Sequence, residues 1–270
     1  MSDQVRKIGV RDLRRRKEAG ERIVAVTAYD AQMARLVDAA GVDLILVGDS
    51  LGMTMLGYRT TIPVTLADCL HHTAAVVRGT RQAMVVGDMP FLTCHLTPEE
   101  ALRDAGRFLQ EAGADGVKVE GGQAMAPTIR RMVRAGIPVM GHVGLLPQAV
   151  LAEGGYRVHG RTAGEADEIY ADALALAEAG AFAIVLEGVT VALGKRITEA
   201  LAIPTIGIGG GPHCDGEIQV LHDLLGLFED FVPKHTKRYA ELGAAVREAI
   251  GAYCADVRAR RFPGEEQSFK

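Results

Sequence analysis

Apolar positions in this chain gather into short runs that stop at a glycine or a charged residue. The runs are Ile23–Thr27, Leu44–Val47, Met84–Asp88, Gly116–Glu120, Pro138–Val143, Ala183–Glu187 and Pro204–Gly209. Runs this short, bounded by turn residues, suit strands buried on both faces. Between them the pattern turns helical over Ala31–Ala40, Thr65–Gly79, Thr97–Glu111, Pro127–Ala135, Glu165–Ala179 and Val191–Leu201. Thr97-Pro98-Glu99-Glu100 is a strong helix start: a capping hydroxyl, a proline at the first helical position, and acids facing the positive end of the helix dipole. Gly41, Gly113, Gly136 and Gly180 supply the stops, because glycine readily adopts the left-handed conformation that ends a helix.

The junctions repeat. A-G-V-D-L-I-L-V, A-G-A-D-G-V-K-V, A-G-I-P-V-M and A-G-A-F-A-I-V-L each read as helix stop, tight turn and buried strand. Their starts, at Ala40, Ala112, Ala135 and Ala179, are too unevenly spaced for a solenoid and suit βα units with loops of varying length. An eighth strand is expected around Gln219–Leu225, and a helical tail over His235–Arg260. A charged helical segment, Asp12–Glu21, precedes the first strand. Alternation of this kind predicts an α/β fold, a (β/α)8 TIM barrel with an extra N-terminal helix, in which residues 1–270 form one domain. The alternative is an open doubly wound sheet; no G-x-G-x-x-G follows the first strand to favour its dinucleotide-binding version.

Composition narrows the function classes. A net charge of −4 over 270 residues, with no Lys/Arg block interleaved with aromatics, gives no case for nucleic acid. The Arg14-Arg15-Arg16-Lys17 run reads as a solvated helix face. Cys69, Cys94, Cys214 and Cys254 make no C-x-x-C pair, so they suggest reduced thiols and a cytoplasmic home. The opening M-S-D-Q-V-R-K lacks a signal-peptide core, and no apolar run is long enough to span a bilayer.

The chemistry gathers at the strand ends, which carry Asp49, Asp88, Lys118, Glu120, His142 and Glu187. In a barrel these ends share one rim, where catalytic residues collect. Carboxylates crowded there repel one another, and a divalent cation removes the difficulty. Asp49, Asp88 and Glu120 offer hard oxygens without a thiolate, which suits Mg²⁺ and, as a substitute, Mn²⁺. Such an ion can hold a 2-oxo acid and stabilise its enolate. Lys118 and Glu120 lie two apart and so face one side. Lys118 can receive substrate charge or pair with an acid. Ser50 can donate to a substrate oxygen or serve as a turn hydroxyl, and Asp49 itself can be a simple turn cap. Glu187, ending an apolar run, is expected to be partly desolvated and suited to general-base work. The His71-His72, Cys94-His95 and His213-Cys214 pairs lack partners at ligand spacing. Gly207–Gly211 can wrap a phosphate or form a tight turn. The long segments Ser50–Pro63 and Gly144–Gly164 are of functional length, the first as a wall over the substrate.

V-G-D-S-L-G-M-T at 47–54, T-I-P-V-T at 61–65, G-D-M-P-F at 87–91, V-K-V-E-G-G at 117–122, G-H-V-G-L-L-P-Q at 141–148, L-E-G-V at 186–189 and P-G-E-E-Q-S-F at 263–269 resemble the ketopantoate hydroxymethyltransferase family. The resemblance runs in order through nearly the whole chain. It implies a Mg²⁺-dependent barrel enzyme of pantothenate biosynthesis, with 5,10-methylenetetrahydrofolate as co-substrate and 3-methyl-2-oxobutanoate as acceptor. It carries metal roles to Asp49, Asp88 and Glu120, oxo-acid contacts to Ser50 and Lys118, the proton acceptor to Glu187, and a place near the substrate to His142. A homo-oligomer, a decamer in the best-known bacterial type, is also implied. Leu92-Thr93-Cys94-His95, Gly210 and Gln267 depart from the family pattern; none is a proposed metal acid or the base. A Mg²⁺-dependent barrel lyase or mutase of the phosphoenolpyruvate mutase and isocitrate lyase group is the alternative, although no K-x-C-G-H-type stretch occurs here.

Overall fold

The computed structural model describes residues 6–229 and 231–269, so the first five residues of the polar opening segment lie outside it. The described chain falls into two compact units, one ending at Val220 and one beginning at Leu221.

The first unit is a closed barrel of eight parallel strands in sequence order. They are β1 (Ile23–Thr27), β2 (Leu44–Val47), β3 (Met84–Asp88), β4 (Gly116–Glu120), β5 (Val139–Gly144), β6 (Ala183–Glu187), β7 (Thr205–Ile208) and β8 (Gly216–Gln219). Alternate residues of these strands share one core: Ile23 and Ala25, Leu44 and Leu46, Met84 and Val86, Met140, Ala183 and Val185, Ile206 and Ile208, Ile218. That period of two is the inward face of each strand, the layered filling of a small barrel. The helices between strands, α2 (Ala31–Ala39) and α6 (Ala126–Arg134) among them, begin and end on or beside the residues the sequence marks. In α4 (Leu66–Gly79), Thr65 and Asp68 cap each other reciprocally. In α5 (Pro98–Gln110), the Thr97 hydroxyl accepts from the Glu100 N–H. α8 (Ala163–Ala179) ends on Gly180 at φ 102°.

The extra N-terminal helix is present as α1 (Val10–Ala19). Its Leu13 is fully buried in the barrel core. Arg16 pairs with Asp43, which precedes β2, and Lys17 with Asp215, which precedes β8. Helix α1 therefore closes the end of the barrel where strands begin. The opposite end is left for chemistry.

Two expectations need correction. The eighth strand lies at Gly216–Gln219, and Leu221–Leu224 is a turn of helix (α10) instead. The strand alternates in burial where the more apolar stretch after it does not. Gly216 also fits the closing position: a Cβ there would fall 2.5 Å from the Ile23 carbonyl oxygen. The tail helix, α11, covers Leu242–Arg258 rather than starting at His235. Inside the two long segments the chain forms single turns of helix, α3 (Leu51–Thr54) and α7 (Val150–Glu153). Among the described residues no helix is long and apolar enough to cross a membrane.

Candidate active site

The inward rows of the barrel change character at its open end. Met84 and Val86 lead to Asp88, Met140 to His142, and Ala183 and Val185 to Glu187. On β4 the same row is Gly116, Lys118 and Glu120. Strand register then places these groups side by side: Asp88 is level with Lys118, and Glu120 with His142. Asp49 joins from the turn after β2, where its main-chain N–H donates to Asp88 Oδ2 at 3.0 Å.

The side chains meet. Oxygens of Asp49, Asp88 and Glu120 lie within 4.8 Å of one another, and all three residues are buried. Lys118 Nζ stands 2.9 Å from Asp88 Oδ1 and 3.3 Å from Glu120 Oε1. His142 Nδ1 is 3.2 Å from Lys118 Nζ, and its Nε2 is 3.3 Å from Glu187 Oε2. Glu187 is the more open member, with a side chain 20% exposed against 2% for His142. Ser50 shares a hydrogen bond of 2.8 Å with the Tyr29 hydroxyl. Asp49, Ser50, Asp88, Lys118, Glu120, His142 and Glu187 thus occupy one end of the barrel.

The electrostatics are those of an incompletely compensated site. Burial, and then repulsion from Asp88 and Glu120, pushes Asp49 well above the usual carboxylate range. Burial also raises Asp88, against the pull of Lys118. Burial would raise Glu120 too, but Lys118 and His142 outweigh it and hold that carboxyl down at about 2. The three acids hold the buried Lys118 ammonium above its usual range although burial opposes its charge. For His142, burial and the Lys118 charge favour the neutral ring, and the carboxylates of Glu120, 3.5 Å from Nδ1, and Glu187, 3.3 Å from Nε2, override them and raise it. Both the imidazolium and the neutral tautomer that accepts from Lys118 carry a proton on Nε2, facing Glu187.

The donor set fits a hard divalent cation. Its oxygens come from three acids, no thiolate intervenes, and buried Asp88 Oδ1 has an ion-pair neighbour but no aligned hydrogen bond. The other candidates stay apart. His71, His95 and His213 are exposed, and His72 donates to the Tyr29 carbonyl. Gly210 sits in close packing: a Cβ there would lie 3.1 Å from the Leu186 carbonyl oxygen, and its own carbonyl oxygen would lie 2.4 Å from a Cβ at Gly194 of α9 (Val191–Ala200). Sequence reasoning missed Tyr29 and Gln148. Gln148 is the buried amide that contacts Asp49 Oδ2 at 3.0 Å. Its sole signal was its place in the G-H-V-G-L-L-P-Q stretch.

Residues 7–265 match the model of the ketopantoate hydroxymethyltransferase family. The chain belongs to that family. A 3-methyl-2-oxobutanoate hydroxymethyltransferase of Chloroflexus aurantiacus is 59% identical over 262 residues, covering 97% of this chain and 92% of the relative. One of the same name from Moorella thermoacetica is 56% identical, covering 94% of each chain. Among solved structures, 2,3-dimethylmalate lyase, described as a PEP mutase/isocitrate lyase superfamily member, aligns at TM-score 0.61 with 19% identity over 97% of this chain and 91% of that one. Phosphonopyruvate hydrolase in complex with oxalate and Mg²⁺ aligns at TM-score 0.59 with 16% identity, over 97% and 90%. Those two likenesses speak for the barrel fold alone, while family membership comes from the full-length match.

Proposed function

We propose that the chain is a 3-methyl-2-oxobutanoate hydroxymethyltransferase that serves pantothenate biosynthesis and draws its one-carbon unit from 5,10-methylenetetrahydrofolate. The observation that carries this reading is the buried cluster of Asp49, Asp88 and Glu120, linked through His142 to Glu187, in a chain that matches the family from residue 7 to 265. Asp49, Asp88 and Glu120 would hold Mg²⁺. When bound, the ion supplies positive charge that offsets the charge developing on the oxo-acid carbonyl.

The chain's own residues do the rest. Lys118 Nζ and the Ser50 hydroxyl bind and orient the oxo acid. Glu187 takes the proton from C3, the carbon next to the carbonyl. The electron pair released from that C–H bond forms the enolate. Water breaks the two C–N bonds that hold the one-carbon unit, leaving tetrahydrofolate with a hydrogen on each of the two nitrogens and the carbon at the formaldehyde level. C3 bonds to that carbon as its C=O electron pair becomes an alkoxide, and the alkoxide takes the proton back to give the hydroxymethyl group. His142, with a proton on Nε2, holds Glu187 in position until it acts. The lyase and mutase reading rests on fold alone, at identities of 19% and 16% in the two structures above.

The purified chain, supplied with 3-methyl-2-oxobutanoate, 5,10-methylenetetrahydrofolate and Mg²⁺, is expected to form 2-dehydropantoate. Omitting the folate or chelating the metal should each abolish the product, measured by mass spectrometry. Turnover of the oxo acid without folate to a cleaved or rearranged product would sink this reading in favour of a lyase or mutase.

A further inference from the structure

Gln148 sits in the connection between β5 and α8 and is only 8% exposed. It reaches the acid cluster twice. Its side-chain Nε2 donates to Asp49 Oδ2 and to the Met89 carbonyl oxygen, each at 3.0 Å. Its main-chain N–H donates to Glu120 Oε2 at 3.2 Å. A carbonyl oxygen can only accept, so the Met89 contact identifies the amide nitrogen as the atom at this end of the side chain. Both amide hydrogens are then committed. One holds Asp49, and the other holds the residue that follows Asp88.

The three cluster acids are not equally secured. Asp88 and Glu120 terminate strands and inherit their direction from the sheet. Asp49 lies beyond the end of β2, in a turn, so its carboxylate needs a brace from elsewhere. A neutral amide suits this task. A lysine would cancel the carboxylate charge that a cation requires, and a second carboxylate would repel it, whereas an amide N–H fixes the oxygen and leaves its charge available. The connection is tied down at its far end as well: the His159 N–H donates to the Gly188 carbonyl at 2.8 Å, and the Thr190 N–H to the His159 carbonyl at 3.1 Å. Gln148 thus has little freedom to drift from the cluster.

We propose that Gln148 is a positioning residue that sets the Asp49 carboxylate for a divalent cation and registers the β5–α8 connection on the acid cluster. This inference rests on the metal reading given above.

The test is Gln148→Met in the full-length chain, which keeps the length of the side chain and removes its donors. Mg²⁺ binding is measured by calorimetry without substrate, and thermal unfolding is followed without metal. Mg²⁺ affinity is expected to fall by about 10–100-fold, as when a group that orients a metal ligand is removed. A purely structural role would lower the metal-free melting temperature and leave the Mg²⁺ affinity within about twofold of wild type; that result overturns the proposal. If Gln148→Met does not fold, Gln148→Asn, whose amide is withdrawn by one methylene, carries the same expectation and the same refutation. No Mg²⁺ binding by the wild-type chain would overturn the metal reading and this inference together. Equal binding by wild type and variant would overturn this inference alone.

Discussion

Glu187→Gln should bind Mg²⁺ and 3-methyl-2-oxobutanoate as the wild type does, yet exchange the C3 proton with D₂O about 10²–10⁴-fold more slowly, the usual range for loss of a general base. The geometry makes this separation of binding from chemistry possible. Glu187 ends the inward row of β6 and touches none of the three cluster acids through a hydrogen bond or ion pair described for it; its polar neighbour is His142 Nε2, at 3.3 Å. A glutamine there has the same shape, and its amide oxygen can still face that ring proton. What it lacks is a lone pair basic enough to take a carbon-bound proton. Proton NMR of the oxo acid, with enzyme and Mg²⁺ but without folate, reads the step by itself. Exchange at the wild-type rate would remove Glu187 from the base role.

The second large effect concerns stability. Lys118 is the ammonium that touches both Asp88, at 2.9 Å, and Glu120, at 3.3 Å, in a site where all three side chains are at most 4% exposed. Lys118→Met leaves buried acids without that counter-charge, and removing one partner of a buried pair costs about 3–5 kcal/mol. The pH dependence has a definite sign. Asp49 and Asp88 already titrate above their usual range because of burial. Loss of a nearby cation raises them further. A carboxyl whose folded value exceeds its unfolded value costs stability increasingly as pH rises from the unfolded value toward the folded one. The variant should therefore lose more stability at pH 8 than at pH 5 by chemical denaturation, and Mg²⁺ should restore more of it than in the wild type. A loss of stability independent of both pH and Mg²⁺ would show that Lys118 is packing rather than counter-charge.

Much of this site was readable because barrel strands are apolar. In Met84-Val85-Val86-Gly87-Asp88 and Ala183-Ile184-Val185-Leu186-Glu187, a charge at the end of a wholly apolar run has no structural reason of its own. Knowing that parallel strands share one end is then enough to bring such charges together. The same logic fails where the residue carries no charge. Gln148 follows a proline in a glycine-rich stretch, and nothing in its type distinguishes a brace on Asp49 from a loop amide. Tyr29 lies past the end of β1, and its contact with Ser50 joins two segments by geometry alone. The misplaced eighth strand has a comparable cause. Gly216-Glu217-Ile218-Gln219 is brief and alternating, while the more apolar V-L-H-D-L-L after it draws the eye and contains a helical turn. The short helices at Leu51–Thr54 and Val150–Glu153 span about one turn each, too little for a period to register.

On the proposed function, Asp49, Asp88 and Glu120 form one divalent-cation site. Calorimetric titration of Mg²⁺ into the wild-type chain and into Asp88→Asn tests it most directly. One Mg²⁺ per chain is expected for the wild type, with an affinity at least about tenfold weaker for the variant, equivalent to ~1.4 kcal/mol or more. The same affinity in both proteins would contradict it.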